Sequence, residues 1–162
     1  MAADQKTIYD YTVKDIDGAD VSLEKYKGYV CLIVNVASQC GYTNSNYPAL
    51  EKLYNTYKDQ NFAVLAFPCN QFANQESACE RDIKKFVSKF NVTFDMYGKV
   101  KVNGSDAEPL YQYLKSKQSG LLGSFIKWNF SKFLVNRDGI PVERYSPLDS
   151  FEKIENDIKK YI

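Results

Sequence analysis

Four cysteines and no histidine occur in a chain of 162 residues, and that combination narrows the available chemistry. Ser-His-Asp and Cys-His nucleophile sites are excluded, as is zinc or haem held by imidazole. Proton handling falls to Cys, Lys, Tyr, Asp, Glu, amides, indole or water. The cysteines are Cys31, Cys40, Cys69 and Cys79, and no two form a Cys-x-x-Cys pair. That spacing disfavours a thioredoxin-type dithiol and a zinc ribbon, and no metal site is expected. In a reducing compartment, scattered thiols are either packed or individually reactive.

Cys40 is the sharpest candidate for reactivity. It lies in Ser38-Gln39-Cys40-Gly41-Tyr42-Thr43, between a strongly apolar run and a helical pattern. Free backbone N–H groups at a helix amino end stabilise thiolates, and Gly41 lets the chain turn tightly. Position alone is equally compatible with a loop cysteine of no role. Cys31 falls mid-strand and reads as a small core residue. Cys69 ends a strand and reads as packing. Cys79 has two readings: it falls on an apolar helix face, which favours packing, and in a first helical turn, which favours redox chemistry. On their own, Trp128 reads as a core or rim aromatic, and Gln75 and Asn129 as loop amides.

The elements that must position these residues form an alternating α/β pattern. Residues 8–23 alternate around Asp17-Gly18 and predict a hairpin. Residues 29–37 (YVCLIVNVA) are almost continuously apolar, as in a strand covered on both faces. Beyond Pro48, Leu50, Leu53, Tyr54 and Tyr57 mark one helix face, and residues 62–67 (FAVLAF) a second buried strand. A strand-helix-strand unit of this kind implies parallel strands with a right-handed crossover. A helix is predicted from about Ser77, with Glu80 completing a capping box, and another over 106–117. A hairpin over 133–145 and a terminal amphipathic helix with Phe151, Ile154, Ile158 and Tyr161 inward complete the order. This predicts a thioredoxin-like α/β fold: a central mixed β-sheet flanked by helices, preceded by a β-hairpin, in a single domain over 1–162.

In open α/β sheets, ligands bind beyond the carboxyl ends of the parallel strands. The Cys40 segment and the 69–75 segment both emerge there. If the strand at Phe133 runs antiparallel, Trp128 and Asn129 join them at the same end.

Composition agrees with one soluble domain. Hydrophobic residues at 44% supply a core, and a net charge of +1 gives no whole-molecule attraction to nucleic acid or anionic membranes. No apolar stretch approaches the roughly 20 residues of a spanning helix, so stable membrane insertion is not expected. Residues 1–6 lack the layout of a signal peptide, which makes the cytoplasm the expected compartment.

Three blocks carry a family resemblance: 34–41 (VNVASQCG), 67–72 (FPCNQF) and 126–133 (IKWNFSKF). On these, over almost the whole chain, the sequence resembles the glutathione peroxidases. The resemblance implies a thioredoxin fold and reduction of hydroperoxides to water or alcohols. It places peroxide attack at Cys40, with Gln75, Trp128 and Asn129 as its hydrogen-bonding partners. It implies no prosthetic cofactor, with glutathione or thioredoxin as the thiol co-substrate. The short connection over 119–125 resembles that of the monomeric, phospholipid-hydroperoxide type. A monomer is therefore expected, with an open site and transient contact with lipid. Lys127 and Lys132 lie in the third block on either side of residues 128–131, where they read as cations for head groups or a reductant's carboxylates, or as ordinary solvated lysines.

Two departures from the family pattern stand out. Many cysteine-type relatives carry a second cysteine where Ser88 aligns here, so Cys79 becomes the candidate resolving thiol. Selenium-type relatives lack that second cysteine too, leaving open whether Cys40 stands at a selenocysteine position. Ser77-Ala78 replaces the usual Pro-Gly. A redox sensor that passes oxidation from Cys40 to a partner protein is the alternative from another functional class.

Overall fold

The computed structural model describes residues 6–76, 78–119 and 123–162. Strands β1 (Thr12–Lys14) and β2 (Asp20–Ser22) form the N-terminal hairpin as a separate antiparallel pair. The main sheet holds five strands in the order β5-β4-β3-β6-β7. These are β3 (Val30–Val36), β4 (Phe62–Pro68), β5 (Asp95–Met96), β6 (Lys132–Val135) and β7 (Pro141–Tyr145). β3 and β4 are parallel, whereas β6 runs antiparallel to both β3 and β7. The sheet is therefore mixed, as the thioredoxin-like reading requires.

Four α-helices cover it: α1 (Thr43–Tyr57), α2 (Glu80–Val87), α3 (Pro109–Lys117) and α4 (Phe151–Tyr161). Every residue of β3 and β4 is buried, which explains their unbroken apolar runs. Val30, Leu32 and Val34 face Leu50, Leu53, Ile83, Ile154 and Ile158 on the side of α1, α2 and α4. Cys31 and Ile33 face the other core, with Leu110, Tyr111 and Leu114 of α3. Burying each such aliphatic side chain is worth roughly 1.5–3 kcal/mol.

Several features differ from the sequence reading, among them α3, predicted from Asp106 but opening at Pro109. α1 begins at Thr43 and runs through Pro48 rather than starting beyond it. Asn46 and Ser45 side chains satisfy the Tyr42 carbonyl in that first turn, at 3.0 and 3.1 Å. α2 begins at Glu80 with Cys79 as its N-cap, and Ser77, the predicted cap, lies outside the described residues. The two-residue β5 was not anticipated; it is held by parallel pairing of Asp95 and Met96 to Leu65 and Ala66.

Candidate active site

Three segments meet at the carboxyl end of β3 and β4. The first leaves β3 and reaches Cys40, which is 7% exposed and packs into the core that contains α1. The Cys40 N–H donates to Thr43 Oγ1 (3.1 Å), and the Thr43 hydroxyl donates to Ala37 O (2.7 Å). The Tyr42 N–H donates to Cys40 Sγ at 3.5 Å, Tyr42 being the N-cap of α1. Starting the helix at Thr43 thus places the sulfur against its first turn.

The second segment follows β4. Cys69 N–H extends the pairing to Val36 O (3.0 Å), and the loop then folds on its own polar side chains. Asn70 Oδ1 accepts from Glu76 N–H (3.0 Å), while Gln71 Oε1 accepts from Val102 and Asn103 N–H (2.7 and 3.0 Å). Ala73 and Asn74 both sit at positive φ (55° and 54°), a conformation that alanine disfavours. These ties bring Gln75 beside the first segment, where its carbonyl accepts from Gln39 N–H (3.0 Å). Glu76 adds a second tie, its Oε1 accepting from Ser38 N–H (3.1 Å). Glu76 is buried, which raises its carboxyl pKa above the usual range.

The third segment enters β6 from the same end, because β6 opposes β3 with Lys132 paired to Val34. It turns at Phe130, which has φ 62°. Asn35, a polar residue inside an apolar strand, receives it. The Asn35 carbonyl accepts from Phe130 N–H (2.6 Å), and its Nδ2 donates to Trp128 O (3.1 Å). Asn129 is fully buried and its Nδ2 donates to Gln75 Oε1 at 2.9 Å, joining the second and third segments directly. The half-buried Trp128 packs on Phe72, ring centroids 5.8 Å apart.

Hydrogen-bonding capacity is held in reserve here. With Oε1 occupied, Gln75 has its NH₂ group left to donate. Asn35 Oδ1, Ser38 Oγ, Asn46 Oδ1, Tyr47 OH, Glu76 Oε2 and Asn129 Oδ1 are buried without a protein partner among the described residues. These lie in the three segments, in β3 or in α1; Tyr111 OH, in α3, is also buried without a partner. Buried polar atoms are normally paired, so those left unpaired along these segments make the end of the sheet a candidate site.

A sequence model of the glutathione peroxidase family matches residues 8–115. A "Probable phospholipid hydroperoxide glutathione peroxidase" of Mesembryanthemum crystallinum is 58% identical over 158 residues, covering 97% of this chain and 93% of the relative. A "Glutathione peroxidase" of Schistosoma mansoni is 56% identical over 157 residues, covering 96% and 93%. The chain belongs to the glutathione peroxidase family. Among solved structures, T. cruzi GPX1 superposes with a TM-score of 0.82 at 45% identity, covering 96% of each chain. A thioredoxin-family thiol:disulfide interchange protein of Chlorobium tepidum aligns with a TM-score of 0.68 at 14% identity, covering 93% of this chain and 92% of its own, which speaks to the fold alone.

The other candidate residues are distributed unevenly. Cys31 and Cys69 are fully buried, and burial pushes both thiols up. Cys79 is exposed at the N-cap of α2 instead of packing on its apolar face, with Sγ 3.5 Å from Asp82 Oδ2. Ser88 is the C-cap of α2, its hydroxyl donating to Lys85 O at 2.6 Å. Lys127 is exposed and lines a cavity of about 570 Å³ with Arg144, Asp149 and Lys153. Lys132 must be corrected: it is fully buried, so it is neither a solvated lysine nor a surface cation for head groups. Sequence reasoning missed Asn35, Thr43 and Glu76 as supports of the site. The one available signal was a polar asparagine within the apolar run of β3.

Proposed function

We propose that this chain is a thiol peroxidase that reduces hydrogen peroxide and organic hydroperoxides, phospholipid hydroperoxides among them, through Cys40. The observation that carries the reading is the direct Asn129–Gln75 hydrogen bond beside the Cys40 loop, which joins two distant segments bearing two amides and an indole. The Cys40 thiolate attacks the terminal peroxide oxygen. An S–O bond forms, the O–O bond breaks, and water or an alcohol departs once the leaving oxygen takes a proton. The Gln75 NH₂, the Asn129 amide and the Trp128 indole N–H stabilise the negative charge that develops on sulfur and on the leaving oxygen. The product is a Cys40 sulfenic acid.

Recycling uses glutathione or thioredoxin. One reductant thiol displaces water from the sulfenic acid to give a mixed disulfide. A second thiol then releases Cys40 and forms the reductant's disulfide. Exposed Cys79 is the candidate for a resolving thiol within the chain: its thiol would displace water from the Cys40 sulfenic acid to give a Cys40–Cys79 disulfide, which a reductant dithiol then reduces while becoming a disulfide itself. Lys127, with Arg144 and Lys153 around the neighbouring cavity, offers positive charge to a reductant's carboxylates or to head groups during transient lipid contact. No prosthetic group enters the scheme, and the proposed working form is a cytoplasmic monomer.

The test is steady-state peroxide consumption with each reductant, for the wild type and for Cys40→Ser. Catalytic turnover that Cys40→Ser abolishes supports an enzyme. Stoichiometric oxidation without turnover would instead mark a redox sensor.

A further inference from the structure

Lys132 is the single lysine among the described residues that is fully buried. It opens β6, paired to Val34 on one side and Tyr145 on the other. Its Nζ donates to Phe130 O at 2.9 Å and lies 5.0 Å above the ring of Phe151, the first residue of α4. Burial brings its pKa down to about 7, opposed by the Asp149 carboxylate. A methionine or leucine would fill such a core position without removing an ammonium from water, and replacing buried charge by apolar side chains is often neutral or stabilising. Stability therefore does not explain a lysine here.

Its hydrogen bond does. Phe130 holds a left-handed backbone that L-residues disfavour, φ 62°, and the residue immediately before it is Asn129. Both polar groups of that turn are clamped. The N–H is held by Asn35 O at 2.6 Å, and the carbonyl by Lys132. When Lys132 is protonated, as below about pH 7, that bond is charge-assisted, the stronger kind. We propose that Lys132 is a positioning residue, whose Nζ donates to the Phe130 carbonyl in the left-handed turn and so fixes where Asn129 and Trp128 stand relative to Cys40. The inference rests on the proposed roles of Asn129 and Trp128.

Lys132→Met keeps the length and the apolar stem of the side chain while removing the donor. The expected result is a fall of roughly tenfold to a hundredfold in the rate of Cys40 oxidation by hydrogen peroxide, the usual scale for a small misplacement of catalytic groups. The fluorescence of Trp128, the chain's one tryptophan, should shift. The melting temperature should hold or rise, and Lys132→Arg should recover part of the rate. A Lys132→Met protein with wild-type oxidation rate and wild-type Trp128 emission would overturn the proposal. So would loss of rate and melting temperature together with an unmoved Trp128 spectrum. If Lys132→Met does not fold, ¹⁵N-lysine NMR of the wild type decides. At pH 6, where Lys132 is charged, a slowly exchanging Lys132 ammonium is expected, and exchange as fast as that of the surface lysines would refute the clamp. Asn129→Ala separates the two layers: an unchanged rate there removes the underlying reading, whatever Lys132 does.

Discussion

Replacing Asn129 with alanine separates chemistry from stability at the centre of the site. The side chain is fully buried and gives its Nδ2 to Gln75 Oε1 at 2.9 Å. Truncation leaves that oxygen without its donor and frees the Gln75 amide to rotate. Losing one partner of a buried hydrogen bond costs about 1–3 kcal/mol. The loss is offset in part because Asn129 Oδ1, itself unpartnered, disappears too. A net cost of about 1–2 kcal/mol corresponds to a melting-temperature drop of roughly 2–8 °C for a domain of this size. The chemical effect should be larger. Removing one donor from a preorganised anion-stabilising site typically lowers rate by about 10²–10³-fold. The assay is single-turnover oxidation of Cys40 by hydrogen peroxide well below the melting range, with calorimetry on the same samples. A rate within twofold of the wild type, together with the predicted drop in melting temperature, would refute the reasoning and leave Asn129 a structural residue.

Two further outcomes follow from the same geometry. Trp128→Phe keeps an aromatic against Phe72 but removes the indole N–H, so Cys40 oxidation should slow by about tenfold or more with little change in melting temperature; an unchanged rate would show that the ring matters only for packing. Lys132 makes stability depend on pH. Below about pH 7 its ammonium is charged in folded and unfolded chains alike. Between about 7 and the ordinary 10.5 the folded protein has released a proton that the unfolded chain still holds. Stability from this group therefore rises with pH across that window. Denaturant titrations from pH 6 to 10 should show the rise, and Lys132→Met should flatten it; equal slopes in both proteins would count against a buried Lys132.

Much of the fold is legible in the sequence because its central strands are buried on both faces. The apolar runs of β3 and β4 and the helical spacing between them fix a parallel unit, and this places Cys40 and Gln75 at one end of the sheet. The antiparallel direction of β6 completes the site by bringing Trp128 and Asn129 there. What was not legible depends on contacts between distant segments. Asn35 looks like an imperfection in a strand until Trp128 and Phe130, more than ninety residues away, supply its partners. Lys132 looks like a surface charge because lysines rarely bury, and nothing local says that Phe151 of α4 will lie beneath its ammonium. Pro48 hides the start of α1, since proline usually opens a helix and here occupies its interior. The position of Cys79 turns on a single residue of helix boundary, below the resolution of a periodicity argument.

Cys40 Sγ is the atom proposed to meet peroxide. The most direct measurement is intact and peptide mass spectrometry of the reduced protein after one equivalent of hydroperoxide. One oxygen added at Cys40 as a sulfenic acid is expected, or a Cys40–Cys79 disulfide derived from it if Cys79 resolves. An unmodified Cys40, with oxidation confined to exposed Cys79 or with peroxide left unconsumed, would contradict that proposal.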